Sequence, residues 1–157
     1  MGEPLFVLVF RVLHEAHTMT VADLMRKEVV TTSPETPVNE VATAMRDENV
    51  GSAVVVEDNI PAGLVTDRDI AVRVAADQLD PAAMPAENIM TEDPVTVDVD
   101  TGVFELCSRM CEEGVRRMPV VDDGELAGII TLDDLTVLLT GELRNLAGVI
   151  EAESPPY

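Results

Sequence analysis

Two short motifs place a threonine and an aspartate three residues apart, and their chemistry suits a sugar-phosphate ligand. They read GLVTDRD at 63–69 and GIITLDD at 128–134. Each motif puts a hydroxyl at the predicted end of a strand and a carboxylate in the first turn of a helix, where Thr66 or Thr131 can cap free N–H groups. The same helix N-terminus can hold a phosphate. The carboxylate of Asp69 or Asp134 can accept both hydroxyls of a ribose, although a plain capping box has the same sequence.

Beyond these motifs, the chain contains few residues of the types that commonly act in catalysis. From Met19 onward the chain has no histidine, a single lysine, Lys27, and two cysteines, Cys107 and Cys111. A histidine-based triad and a histidine-rich metal site would need atoms that this part of the chain lacks. The two cysteines stand four residues apart on a predicted helix with no other soft ligand, so we interpret them as core or half-core thiols. The sequence therefore predicts a protein that is not an enzyme and has no metal site.

The composition is strongly acidic around an ordinary apolar interior. The 157 residues include 30 acidic and 10 basic ones, for a net charge of −20, while 46% are hydrophobic. A surface of this charge repels phosphate backbones and anionic headgroups, so we expect neither nucleic-acid nor membrane binding. One lysine beside nine arginines fits a cytoplasm of molar salt, in which the Debye length falls to about 3 Å. The composition thus indicates an acidic halophilic protein of the cytoplasm.

An internal repeat organises the chain. Residues 21–75 align with residues 86–140 at a constant offset of 65, without a gap, and 17 of the 55 aligned pairs are identical. Each copy predicts the order helix, strand, helix, strand, strand, helix. The segments are 21–26, 29–32, a helix after Pro37, 53–56, 63–66 and 67–76, and the second copy repeats them up to a helix that ends near Leu139. Residues 1–18 align with neither copy and form a leader of uncertain status, and 146–157 are predicted to be a C-terminal tail.

The two motifs and the strands before them carry a family resemblance. Each Gly-h-h-Thr-x-x-Asp (h, hydrophobic) follows strand text of one kind, VVVE at 54–57 and PVVD at 119–122. This pattern resembles a tandem CBS-domain pair, the Bateman module, with repeats at about 20–80 and 85–145. The resemblance implies an α/β (α+β) fold in which two βαββα repeats pack sheet to sheet about a pseudo-twofold axis. It also implies two clefts that take adenosyl ligands, in a sensor rather than a catalyst.

The resemblance assigns residues to the two clefts. Thr131 and Asp134 would bind phosphate and ribose in one cleft, with three residues of the first copy against the adenine: Val30, Val50 and Gly51. By symmetry Thr66 and Asp69 would serve the other cleft, with three residues of the second copy: Val95, Val115 and Arg116.

An adjacent arginine pair distinguishes the two copies. Arg116 and Arg117 occupy the place where many family members carry basic residues that face the phosphates, whereas the first copy has Gly51 and Ser52 there. Their alternative role is to form salt bridges with Glu112 and Glu113 on the preceding helix. We expect the cleft with Thr131, Asp134 and the arginine pair to be the principal site for an anionic nucleotide.

The predicted function is that of a free-standing regulatory protein. The resemblance implies binding of an adenosyl ligand, with AMP or ADP ranked first, S-adenosylmethionine second and ATP third, and no required cofactor. Output would pass through association, either as a homodimer or by docking on an effector protein. The alternative is a purely structural dimerisation module with empty clefts.

Overall fold

A computed structural model describes residues 19–153; the predicted leader, 1–18, and the last four residues lie outside the described part. The first repeat contains two-layer α/β structure of the predicted kind. Its elements are α1 (Val21–Leu24), β1 (Thr31–Thr32), α2 (Val38–Asp47), β2 (Ser52–Glu57), β3 (Ile60–Thr66) and α3 (Asp67–Ile70), which continues as a π-helical segment, Ala71–Ala75.

The second repeat has the same order of elements apart from one additional strand, β4 (Thr91–Glu92), which pairs with β3 of the first sheet. It begins with a 3-10 turn, Ala86–Asn88, where the first repeat has α1. Its remaining elements are β5 (Val97–Asp98), α4 (Val103–Glu113), β6 (Arg117–Asp122), β7 (Glu125–Thr131) and α5 (Leu132–Glu153). The strands form two sheets of order β1-β2-β3-β4 and β5-β6-β7.

The hairpins of the two repeats match in register. β1 is parallel to β2, and β2 pairs with β3 antiparallel so that Ser52 lies opposite Thr66. The corresponding pair in the second sheet is Arg117 opposite Thr131. A register shift occurs at equivalent positions, after Val55 and after Val120. The end of each hairpin therefore presents its threonine in the same way.

Each central helix buries one apolar face against its sheet. In α2 the buried residues are Val38, Val41 and Met45. In α4 they are Leu106 and Met110. This three- and four-residue spacing places them on one side of the helix. Cys107 packs at the edge of the second core, as predicted, but Cys111 is exposed, so the prediction is wrong for Cys111.

The first segment of each repeat packs on the core of the other repeat, so the two segments are exchanged. Val21 is buried in the core of the second repeat, whereas Ala86 and Ile89 are buried in the core of the first. Equivalent backbone hydrogen bonds fix both crossings: Val21 N–H donates to Thr101 O at 2.9 Å, and Ala86 N–H donates to Thr36 O at 2.8 Å. These reciprocal bonds are what a pseudo-twofold axis between the repeats produces.

The last helix departs from the prediction. The sequence places its end near Leu139, but α5 continues to Glu153, so the predicted end of this helix is wrong. The helix includes residues 146–153 of the segment assigned to the tail. The two glycines of this stretch, Gly141 and Gly148, face open space and do not stop the helix. Only Leu135 is buried. The structure contains no helix, within residues 19–153, that is long and apolar enough to cross a membrane.

Candidate functional site

The two Thr-x-x-Asp motifs form the same hydrogen-bonded cap. In the second repeat, Thr131 donates to Asp134 Oδ2 from its backbone N at 2.9 Å and from its Oγ1 at 2.6 Å. In the first repeat, Thr66 donates to Asp69 Oδ2 over the same distances, 2.9 and 2.6 Å. Each threonine Oγ1 in turn accepts from the aspartate N–H. The capping role that the residues predict is therefore present in both copies.

Asp134 has a second partner from a distant part of the chain. Its Oδ1 accepts a hydrogen bond from Arg26 Nε at 2.9 Å and lies 2.8 Å from Arg26 Nη2 in an ion pair. Burial raises the pKa of this carboxyl, but hydrogen bonds from Thr131 and Arg26 and the charge of Arg26 outweigh burial, so that the pKa is lower than the ordinary 3.8. Asp134 is thus held as a carboxylate by a guanidinium at the start of the chain's described part.

Asp69 has a different and looser cationic neighbour. Arg73 lies one turn further along the same helix, with its Nε 3.6 Å from Asp69 Oδ1. The Nη1 of Arg73 donates instead to two backbone carbonyls, Ile89 O at 2.7 Å and Met90 O at 3.1 Å. Arg73 therefore ties its helix to the crossing segment and leaves Asp69 Oδ1 more accessible to other donors.

An open cavity of about 1260 Å³ lies beside the first repeat. Its wall includes Val30 from the strand side and Val50 after α2, the two residues predicted to contact adenine. Arg26 and Lys27 also line it, and Arg26 connects the cavity to Asp134 of the other repeat. Val30 and Val50 therefore line the same cavity as Arg26, whose guanidinium binds Asp134. Acidic residues complete part of the wall: Glu28, Asp47 and Glu48.

The equivalent residues of the second repeat lie against their own core. Val95 and Val115 are half-buried and pack on the core of the second repeat, as Val30 and Val50 do on the core of the first. The two sets of valines therefore occupy matching positions, consistent with two related clefts.

Of the arginine pair, Arg117 contacts Gly51, a residue assigned to the same cleft, whereas Arg116 is exposed. Arg117 Nη1 donates to Gly51 O at 2.8 Å, and a Cβ added to Gly51 would lie 3.5 Å from both Arg117 Nη1 and Asp67 Oδ2. The guanidinium of Arg117 therefore lies at the start of the first repeat's α3. The side chain of Arg116 is exposed, and its carbonyl accepts from Leu132 N–H.

The cation in contact with Asp134 is Arg26, a residue outside the motifs and the arginine pair. Neither arginine of the pair forms an ion pair with Glu112 or Glu113 in the described part of the chain. One signal was available: Arg26 precedes the only lysine of a very acidic chain, and the second repeat has Thr91 in its place. The contact itself spans 108 residues and follows from the exchanged segments.

The motif glycines permit the exchanged segments to approach the sheets. A Cβ on Gly128 would lie 2.7 Å from Arg26 O and 2.8 Å from Met25 Sδ. A Cβ on Gly63 would collide with the side chain of Met90. Arg26 N–H also donates to Ile129 O, and Ile129 N–H to Arg26 O, both at 2.9 Å. Gly128 therefore positions the backbone of Arg26, and with it the guanidinium that reaches Asp134.

Comparison with known proteins places this geometry in a family. The model of the CBS domain matches residues 21–76 and 86–141. An uncharacterized protein of Methanopyrus kandleri is 37% identical over 120 residues, which cover 75% of this chain and 61% of that protein. A CBS domain-containing protein of Bacillus subtilis, YhcV, is 36% identical over 118 residues, covering 75% of this chain and 84% of that protein.

Two similar solved structures contain adenosyl compounds. The CBS domain pair of protein MJ0100, in complex with 5′-methylthioadenosine and S-adenosyl-L-methionine, is 26% identical with a TM-score of 0.71, over 80% of this chain and 98% of that one. A CBS domain protein of Pyrobaculum aerophilum complexed with AMP is 29% identical with a TM-score of 0.69, over 78% of this chain and 97% of that one. The two matched domains, the sequence relatives and the shared architecture establish that this chain belongs to the CBS domain family, as a tandem pair.

Proposed function

We propose that this protein is a regulatory sensor that binds an adenosyl ligand between its repeats and has no catalytic role. The observation that carries the proposal is the cavity lined by Val30 and Val50, whose wall residue Arg26 is bound to Asp134. An apolar slot for a base beside a carboxylate for a ribose is the arrangement that a nucleoside needs. The solved relatives with AMP and with S-adenosyl-L-methionine support the same ligand class.

The residues proposed to contact ligand fall into two sets. The principal cleft combines Thr131 and Asp134 with Val30, Val50 and Gly51. The second cleft combines Thr66 and Asp69 with Val95, Val115 and Arg116. Arg116 and Arg117 remain proposed phosphate partners, Arg117 from its position at Gly51.

The proposed order of ligands is AMP or ADP, then S-adenosylmethionine, then ATP. The cavity wall carries two cations, Arg26 and Lys27, against three carboxylates, and the whole chain has a charge of −20. Each added phosphate therefore brings more like charge into a negative field, which costs more at low salt. One phosphate matches the available guanidinium better than three.

Thermal-shift titrations test this function. AMP, ADP, S-adenosylmethionine and ATP are added separately, because a bound ligand stabilises the folded state by about 2.7 kcal/mol at one hundred times its Kd. We expect saturable increases in Tm, largest for AMP or ADP at equal concentration. Val50→Arg, which places a bulky cation in the apolar wall, should abolish the increase. No shift with any of the four compounds would reject the sensor function.

A structural module with empty clefts is the second candidate, and the exposed part of α5 favours it. Leu139, Leu143 and Leu146 follow one another at four and three residues, and each is more than half exposed. We name them the α5 leucine row. A second copy is its proposed occupant, because a symmetric dimer uses the same patch twice.

The sensor and the structural module with empty clefts both allow a homodimer. In the sensor, the homodimer or an unidentified effector protein would receive the signal from the clefts. Analytical ultracentrifugation with and without AMP separates the two functions. A dimer whose dissociation constant changes on AMP addition supports the sensor. A dimer indifferent to every adenosyl compound supports the structural module.

The acidic surface supports a halophilic, cytoplasmic setting. With 30 acidic residues and 10 basic ones, self-repulsion grows as salt screening falls. Transfer from about 2 M to about 0.1 M salt should lower the Tm or dissociate the dimer. A Tm that is independent of salt would reject the halophilic assignment.

A further inference from the structure

Both carboxylate oxygens of Asp134 already have partners. Its Oδ2 accepts hydrogen bonds from the N and Oγ1 of Thr131, and its Oδ1 accepts one from Nε of Arg26 and lies within ion-pair distance of Arg26 Nη2. A carboxylate oxygen offers about two lone-pair positions, so Thr131 fills those of Oδ2 and Arg26 covers Oδ1. A ribose hydroxyl that donates to Asp134 therefore competes with Arg26 at Oδ1.

Arg26 is the partner able to leave. Thr131 is fixed in the strand and capping geometry, whereas the Arg26 side chain is 59% exposed and lies in the cavity wall. Its backbone is held separately by two hydrogen bonds to Ile129. The guanidinium can therefore move while the chain around it stays in place.

A released guanidinium needs a new anionic partner. Asp134 is only 14% exposed, so its bond with Arg26 forms where water competes less than at an open surface. A phosphate accepts the same two-pronged contact from arginine as a carboxylate does. Adenosine offers a ribose but no anion, and leaves the guanidinium without a charged partner.

From this geometry we propose that Arg26 determines ligand selectivity: it occupies Asp134 until a phosphate-bearing adenosyl ligand takes its guanidinium and frees the carboxylate for the ribose. The inference rests on the proposed adenosyl-binding function. Arg26 acts as a positioning residue before binding and as a phosphate partner afterwards. The first repeat lacks this device, because its Asp69 Oδ1 faces Arg73 only at 3.6 Å.

Isothermal titration of AMP and of adenosine into the full chain tests the proposal with Arg26→Thr. The second repeat supplies threonine at the equivalent position, Thr91, so the substitution suits the local backbone. We expect the ratio of the adenosine Kd to the AMP Kd to fall at least tenfold, because adenosine binds more tightly and AMP loses a partner. An unchanged ratio, or equal weakening of both compounds, would overturn the proposal.

Two further variants make the result specific. Arg109→Thr removes the same charge from an exposed position on α4 and should leave the ratio unchanged; an equal fall would show a general charge effect and overturn the proposal. If Arg26→Thr does not melt cooperatively, Arg26→Lys keeps the charge, loses the two-pronged contact and should lower the ratio less. Wild-type protein that binds neither compound would reject the proposed function itself, whereas AMP binding with an unchanged ratio rejects only the role of Arg26.

Discussion

The two Thr-x-x-Asp motifs have one cap but two electrostatic settings. Thr66 and Thr131 bind their aspartates over the same distances. Asp134 is then bound by a guanidinium from the exchanged segment, 108 residues away in sequence, whereas Asp69 faces an arginine of its own helix at 3.6 Å.

The difference comes from positions where the repeats are not identical. Residue 26 is arginine and its equivalent, 91, is threonine; residue 73 is arginine and its equivalent, 138, is leucine. None of these four residues belongs to the shared motif. The two repeats therefore share the backbone conformation and the cap. The positions that differ between them determine which further hydrogen-bond donors each carboxylate can accept from.

Alanine substitutions of the two motif glycines should give the largest difference in stability. Gly128→Ala should destabilise the fold by about 2 kcal/mol, because its Cβ meets the backbone oxygen of Arg26, which cannot turn away. Gly63→Ala should cost less than about 1 kcal/mol, because it meets only the flexible side chain of Met90. Urea denaturation of both variants measures the difference. Equal costs would mean that the two crossing segments adapt equally well.

The second comparison removes each carboxylate in turn. Asp134→Ala should weaken AMP binding more than tenfold, about 1.4 kcal/mol, while Asp69→Ala should leave the first binding event nearly intact. Titration calorimetry measures both. Neither change should unfold the protein, since Thr66 and Thr131 remain to cap their helices. The reverse pattern would contradict the assignment of the principal cleft, and equal losses would indicate two equivalent sites.

The last helices of the two repeats differ in length, and this difference should appear in association. The helical segment after Thr66 ends near Ala75, but α5 extends to Glu153 and exposes the α5 leucine row. Leu143→Glu should raise the dimer dissociation constant about tenfold, because it places a charge in an apolar contact. Sedimentation velocity measures it, with Val72→Glu, in the π-helical segment of the first repeat, as the matched control. A stronger effect from Val72→Glu would place the interface elsewhere.

The smallest effect is the contribution of the Arg26–Asp134 ion pair to stability. Because the pKa of Asp134 is lowered on folding, the contribution is present above the ordinary carboxyl pKa of 3.8 and is lost as the pH falls through the folded-state value. With Arg26 largely exposed, we expect less than about 1 kcal/mol. The stability difference between wild type and Arg26→Thr should thus be constant near neutral pH and shrink below about pH 4. A difference that persists at pH 2 would assign the effect to packing.

Much of the fold could be predicted because the repeat states the pattern twice. The hairpins, the central helices with Val41 and Leu106 inward, and the two caps all follow from spacing that both copies share. The end of α5 could not be predicted, because Gly141 and Gly148 suggest a stop that the helix does not make. A glycine in a helix interior costs only about 1 kcal/mol of helix stability relative to alanine, and Gly141 and Gly148 face open space. A long helix can form despite this cost.

The sequence predicts the residues of the candidate site that belong to the repeated motif, but it does not predict the contact made by Arg26. Thr131 and Asp134 come from a motif, and Val30 and Val50 from the resemblance to the CBS family. The contact of Arg26 with Asp134 depends on the exchange of the first segment onto the second repeat, a tertiary arrangement that local spacing does not encode. Arg117 shows the same limit: its strand position pairs with Thr131, but its guanidinium reaches Gly51.

A crystal structure of the full chain with AMP would show which groups hold the ligand. We predict adenine against Val30 and Val50, the ribose hydroxyls on Asp134, and the guanidinium of Arg26 moved from Asp134 to the phosphate. AMP bound elsewhere, with the Arg26–Asp134 pair intact, would contradict this prediction.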